Sequence, residues 1–299
     1  MLSVASSVDD LLGLVRLTPL MERARGNLEV IIGLIDGPVA LTHPDLARAT
    51  IREVPGRLVG TCARAGSAAC QHATFVAGIL VANRGSKAPA ICPGCTLLVR
   101  AIFAEAAQWN GEIPSATPEE LAAAILDCLE AGARVLNLSV ALAEPTMKGE
   151  RVLQEALEQA ARRGVPVVAA AGNQGTLGSS VITRHPRVIP VVACDWRGRP
   201  ISQSNLGRSI GRQGLRAPGQ DVTSLGAAGD LVKFGGTSAA APFVTGAIAL
   251  LWSEFPAAAP AEITRAVTGA QAPRRYAIVP PLLDAWGAYQ LLRADSRRS

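Results

Sequence analysis

The stretch PEELAAAILDCLEAGARVLNLS, Pro118–Ser139, carries two hydrophobic rhythms back to back. In its first half Leu121, Ile125, Cys128 and Leu129 recur at three- and four-residue spacing, which places them on one face of a helix. Thr117-Pro118 is a helix start and Gly132 a stop. The second half, Val135–Ser139, is a short continuous apolar run, the pattern of a strand covered on both faces. A helix leading directly into such a strand is the repeating unit of a parallel sheet.

The unit recurs along the chain. GERVLQEALEQAARRG, residues 149–164, reads as a second amphipathic helix ending at Gly164. Further strands are expected at Val30–Ile35, Leu97–Ile102, Pro166–Ala171 and Val188–Ala193, and two last helices after the Ala-rich segment Ala257–Ala261. The alternation predicts an α/β chain with three αβα layers around a central, mostly parallel sheet. No repeat or low-complexity linker divides it. The expected organisation is an irregular or helical N-terminal arm, residues 1–27, followed by one domain, residues 28–299.

Composition narrows the function. Of 299 residues 49% are hydrophobic and 18% charged, which excludes general disorder. Aromatics make up only 4%, so Ala, Val, Leu and Ile must build the core. The formal charge is +5, but the arginines are scattered and no aromatic platform accompanies them, so no nucleic-acid partner is expected. The N-terminal MLSVASSVDDLLGLVRL has no basic start, and Asp9 and Asp10 interrupt its apolar run, unlike a signal peptide. Leu97–Ala107 is too short to span a bilayer, and Val165–Gly172 ends in a loop. The expectation is a cytoplasmic protein with no membrane partner; its oligomeric state is left open.

Six cysteines, Cys62, Cys70, Cys92, Cys95, Cys128 and Cys194, are reduced thiols by default in such a compartment. Cys128 and Cys194 fall in apolar runs and read as core. Cys92-Pro-Gly-Cys95 is compatible with a redox pair, a structural disulfide partner, or half of a zinc site with Cys62 and Cys70. A structural disulfide or plain thiols rank ahead of zinc, because zinc would need a second close pair and the seven residues between Cys62 and Cys70 are a loose spacing for one. No metal or cofactor is expected.

In open α/β sheets ligands bind outside the carboxyl ends of the strands. Asp36 stands at the tip of IIGLID, and Gly172-Asn173 at the tip of VVAAAGN. His72 opens the helix HATFVAGIL. Ser238 follows Gly235-Gly236 at a turn opening a helix from Ala239, with Pro242 expected in that helix's first turn, where its missing N–H has no partner to lose. Taken singly, each reads as an ordinary turn or cap residue. Together they supply a nucleophile, a base to take its proton, a carboxylate to orient the base, and an amide donor for an oxyanion. His43 and His185 compete for the base role, but both directly precede a proline in a loop.

The order Asp-His-Ser and its local motifs resemble the subtilisin family of serine proteases. LIDGPVALTHPDL resembles the aspartate segment at Asp36, and HATFVAG the histidine block at His72, which is usually His-Gly-Thr-His-Val-Ala-Gly. AAAGNQG resembles the oxyanion block at Asn173, and GGTSAAAPFVTGAIALL the nucleophile block at Ser238. The likeness runs from about Val30 to the C-terminus. It implies a subtilisin-like fold and a serine endopeptidase with Asp36, His72 and Ser238 catalytic and Asn173 in the oxyanion hole.

Departures from the family pattern are informative. Ala73 and Phe75 replace a glycine and a noncatalytic histidine. Ser139, Val140, Ala141 and Leu142 replace the Ser-Leu-Gly-Gly that lines the family's specificity pocket; with Gly172 they are the implied substrate-binding residues, in a reshaped pocket. VANRGSKAPAICPGC lacks the carboxylates of a structural calcium loop. No chaperone-like propeptide is expected ahead of Val30. These features most resemble the cyanobactin-type maturation proteases, which cut ribosomally made precursor peptides. The macrocyclising members carry an added helical cap, and no insertion of that size is found, so cleavage is expected. The partner implied is a peptide or protein substrate, and specifically a precursor peptide. The competing reading is a silent or conditionally active peptide-binding module on the same fold.

Overall fold

The computed structural model describes residues 7–105, 115–139, 141–142, 147–270 and 277–297. Its strands are β1 (Ile31–Asp36), β2 (Thr50–Glu53), β3 (Thr96–Ala101), β4 (Ser115–Ala116), β5 (Val135–Leu138), β6 (Ala141–Leu142), β7 (Val167–Ala170), β8 (Val188–Cys194), β9 (Leu215–Pro218), β10 (Val222–Leu225) and β11 (Leu231–Phe234). Its α-helices are α1 (Val8–Leu14), α2 (Thr18–Arg23), α3 (Ala68–Val81), α4 (Pro118–Glu130), α5 (Met147–Arg162), α6 (Val181–Arg184), α7 (Arg208–Gln213), α8 (Thr237–Glu254), α9 (Pro260–Gly269) and α10 (Ala285–Asp295).

Seven strands form one sheet in the order β2-β3-β1-β5-β7-β8-β9, and every neighbouring pair is parallel. The continuous apolar runs are its interior strands, because pleating sends successive side chains to opposite faces. Ile32 and Leu34 enter a core with α3 and α8, while Ile35 enters one with α4 and α5; Val168 parts from Val167 and Ala169 in the same way. This is the expected three-layer αβα arrangement. The order reverses at β1, which lies between β3 and β5, so the crevice at the carboxyl end of β1 is the topological switch point.

Helices that are apolar all round must be buried on every side. α3 has only Gln71 outside the core, and α8 is buried from Thr237 to Trp252. α4 starts on a complete Thr117/Glu120 capping box and turns Leu121, Ile125, Cys128 and Leu129 inward. Strands β2, β9 and the antiparallel β10–β11 hairpin were not among the sequence expectations. β2 is a largely exposed polar edge, and the other three are four-residue segments without a long apolar run.

The described part of the arm is built into the core. Leu11, Leu12, Val15, Leu17 and Leu20 are buried with α8 and α10. Arg23 pairs with Glu254 and lies over Tyr289; Arg16 pairs with Asp284 at 2.9 Å. Arg84 donates to the carbonyls of Met21, Ala24 and Ile91, stitching the arm to the body. Glu254 ends α8 and lies sixteen residues beyond Ser238, so this contact is roughly 24 Å along the helix from that serine.

Candidate active site

Asp36 ends β1, wholly buried, and its Oδ1 accepts from His72 Nδ1 at 2.8 Å and from the Gly37 N–H at 2.7 Å. The two residues meet because α3 lies directly against the end of β1. A Cβ added at Gly37 would lie 2.7 Å from the Ala69 carbonyl carbon, so only glycine permits this approach. Burial opposes charging His72, but the Asp36 charge and hydrogen bond outweigh it and hold the imidazole pKa above the ordinary 6.5. His72 Nε2 is buried and, among the described residues, makes no hydrogen bond to Ser238 Oγ or to any other group. Phe234 stacks on the ring at 6.5 Å between centroids and is met edge-on by Phe75, the residue standing in place of the family's second histidine.

Ser238 occupies the first turn of α8, where main-chain N–H groups have no helical acceptor. Gly236, at φ +97°, makes the turn ahead of it; a Cβ there would come within 2.8 Å of Asn173 Nδ2. The Asn173 carbonyl oxygen accepts from the Thr237 N–H at 2.8 Å and the Thr237 hydroxyl at 3.0 Å, while Thr237 Oγ1 accepts from the Gly172 N–H at 3.1 Å. With its oxygen so engaged, Asn173 has its amino group left to donate, beside the start of α8. Gly172, at φ +104°, provides the turn that brings β7 to this contact.

Pro242 is not in the first turn as expected; α8 starts at Thr237, so the proline sits in the second. Its missing N–H deprives the Ser238 carbonyl, four residues back, of its helical donor. Ser139 Oγ donates to that carbonyl instead, at 3.1 Å. Asn137 Nδ2 donates to Ser139 Oγ at 2.8 Å, and Thr245 Oγ1 donates to Asn137 Oδ1 at 2.8 Å. All three side chains are buried. The Ser139 hydroxyl is thus turned into α8. Asn137, Thr237 and Thr245 had not been singled out from the sequence, although an asparagine inside an apolar strand is itself a signal of a buried polar contact. Val140 lies outside the described residues, and Ala141 and Leu142 are described as the backbone of β6, parallel to β4.

The competing histidines serve turns. His43 Nδ1 accepts from the Asp45 N–H, capping a short 3₁₀ segment. His185 Nδ1 accepts from the Arg187 N–H, and its Nε2 meets Glu158 at 3.1 Å.

Cys62 and Cys70 form a disulfide with Cα atoms 5.6 Å apart. Cys92 and Cys95 are buried free thiols; the hydrogen bond between them lifts the pKa of Cys92 and lowers that of Cys95. Among the described residues no metal-ligating group gathers the two pairs together. Burial pushes the core thiols Cys128 and Cys194 up to about 12.

A model described as the Subtilase family matches residues 27–280. Over 234 residues the chain is 33% identical to the thermophilic serine proteinase of Bacillus sp. (strain AK1), covering 75% of this chain and 52% of that one. It therefore spans about half the length of that relative. The protease domain of PatA superposes with a TM-score of 0.80 at 29% identity, covering 92% of this chain and 99% of that one. The prenylagaramide maturation protease PagA does so at 0.78 and 25% identity, covering 92% and 98%.

Proposed function

This chain belongs to the Subtilase family of subtilisin-like serine proteases, and on that premise we propose that it is an endopeptidase working through Asp36, His72, Ser238 and Asn173. Ser238 Oγ attacks the scissile carbonyl while His72 Nε2 takes its proton. Asp36 fixes the tautomer with the proton on Nδ1 and stabilises the imidazolium that forms. The Asn173 amino group and the Ser238 N–H meet the oxyanion, aided by the positive end of α8. His72 then protonates the leaving amine, and water repeats the sequence to release the acid. Bringing Nε2 and Oγ into hydrogen-bond contact is the task assigned here to substrate binding, since catalytic hydrogen bonds often tighten only in the complex.

The observation that carries this reading is the 2.8 Å bond from His72 Nδ1 to buried Asp36. The test is labelling by a fluorophosphonate probe. The parent protein is expected to react at Ser238, whereas Ser238→Ala is expected to stay unlabelled while melting normally. Labelling of the alanine variant at the parental rate overturns the assignment.

The finer reading is cleavage of a ribosomally made precursor peptide. It is supported by the likeness to PagA, a prenylagaramide maturation protease. Incubation with a diverse peptide library, read by mass spectrometry, should give cuts confined to a narrow set of sequences; cuts spread over most peptides would rule out a dedicated substrate.

A further inference from the structure

The helix that carries His72 starts without a side-chain cap. The Ser67 side chain at the head of α3 caps nothing, and among the described residues its buried Oγ has no partner. No acidic residue stands in the first turn to meet the helix dipole. The first-turn N–H groups of α3 have no side-chain acceptor from Ser67, so burial of Ala68–Cys70 and the chain's own links must hold this turn. Yet His72 is only the fifth residue of α3 and must keep Nδ1 against Asp36.

A covalent link stands where the cap is missing. Cys70, two residues before His72, is bonded to Cys62. The Cys62 N–H donates to the Val39 carbonyl at 3.0 Å, and the Val39 N–H to the Gly60 carbonyl at 2.8 Å. Val39 lies three residues after Asp36. A ring therefore runs from Asp36 through Val39 to Cys62, across the disulfide to Cys70, on to His72, and back through the Nδ1–Oδ1 bond. The Asp36–His72 contact is the closing link of this ring. The loop at residues 61–66 is partly or fully exposed, with open space around Gly66, so a reductant has a path to Cys62. The four other cysteines are buried.

We propose that the Cys62–Cys70 disulfide is the positioning element of His72 and a redox control on the site: closed, it holds the imidazole on Asp36; opened by a dithiol reductant, it loosens the start of α3 and turns activity down. This rests on the reading of His72 as general base. A reductant thiolate attacks the Cys62 sulfur, the S–S bond breaks, and Cys70 leaves as a thiolate that takes up a proton. The reductant's second thiol then displaces Cys62, leaving two protein thiols and an oxidised, cyclic reductant. The Glu105 carboxylate accepts from the Ala63 N–H at 2.8 Å beside this pair and lies within 4.8 Å of both sulfurs.

The experiment measures fluorophosphonate labelling rate against pH for the oxidised protein and for protein treated with dithiothreitol, with alkylation and mass spectrometry counting free thiols. Among the described residues Asp36 is the charged group facing the imidazole, and Phe234 beside it is neutral. Reduction is expected to slow labelling by about ten- to a hundred-fold, the scale of a small displacement of a catalytic group. It should also move the pH midpoint down towards that of free histidine. Reoxidation restores both, and the Cys62→Ser/Cys70→Ser variant should sit at the reduced rate and ignore the reductant. The proposal is overturned if protein with both thiols shown free keeps the oxidised rate and midpoint, or if the double variant still responds to reductant. His72→Ala separates the two readings: labelling at the parental rate removes His72 as base whatever the disulfide does.

Discussion

The hydroxyl of Ser139 donates to the main-chain carbonyl of Ser238, the very carbonyl that Pro242 leaves without a helical partner. A proline in the second turn of a buried helix looks like a fault. Here it frees an acceptor at the residue that must be held still, and strand β5 supplies the donor through Asn137 and Ser139. The position of Ser238, the proposed nucleophile, is thereby tied to the central sheet.

Removing that tie should cost both stability and rate. Ser139→Ala strands a buried carbonyl and the Asn137 amide, an expected loss of about 1–3 kcal/mol in a denaturant melt, with slower probe labelling. Pro242→Ala returns an N–H to the Ser238 carbonyl. In that background Ser139→Ala should cost less, and a double-mutant cycle showing strict additivity would refute the link between the two residues.

Activity and stability should respond oppositely to pH around His72. Its pKa is raised, so the neutral base is lost on acidification at a midpoint above the ordinary 6.5. The Asp36–His72 ion pair stabilises the fold fully below 6.5, and that contribution fades as pH rises through the folded value. Asp36→Asn leaves burial unopposed and should drop the midpoint below 6.5. Imidazole titration by NMR in both proteins checks this, and an unchanged midpoint would contradict the assigned cause.

Loss of the Asn173 side chain removes the proposed oxyanion donor and the acceptor for Thr237. Turnover by Asn173→Ala should fall about a hundred- to a thousand-fold, the magnitude known for removing such a donor in subtilisin itself, with KM much less affected. An effect confined to KM would move Asn173 out of the oxyanion hole.

Gly37→Ala tests the approach of α3 to β1. The added methyl group meets the main chain of Ala69, which cannot rotate away. A stability loss of about 1–3 kcal/mol is expected, with activity falling further than stability because the Asp36–His72 bond spans the same contact. Parental turnover in a stably folded variant would show that the contact has slack.

Asp36, Asn173 and Ser238 stand where apolar runs stop, so their places at strand and helix ends were legible once the parallel sheet was recognised; His72, expected to open its helix, is instead the fifth residue of α3, because Ala68–Gln71 already belong to that helix. The pairing of Asp36 with His72 was not, because it depends on Gly37 touching Ala69 across a chain reversal that no local pattern records. β2 carries exposed polar residues, and β9 to β11 are too short for a period to emerge. The start of α8 was misjudged by two residues because Thr237 and Ser238 belong to the helix rather than to its cap. The disulfide stood among several pairings open to six cysteines, and only the fold brings Cys62 beside Cys70.

The contact of the arm with α10 has a consequence for how this chain can be rebuilt. The Ala285 N–H bonds the Val15 carbonyl at 3.0 Å, so the first and last helical segments lie side by side on the end of α8 remote from the nucleophile. A rebuilt chain must therefore keep both segments, because each covers the other and removing either one uncovers the end of α8 opposite Ser238.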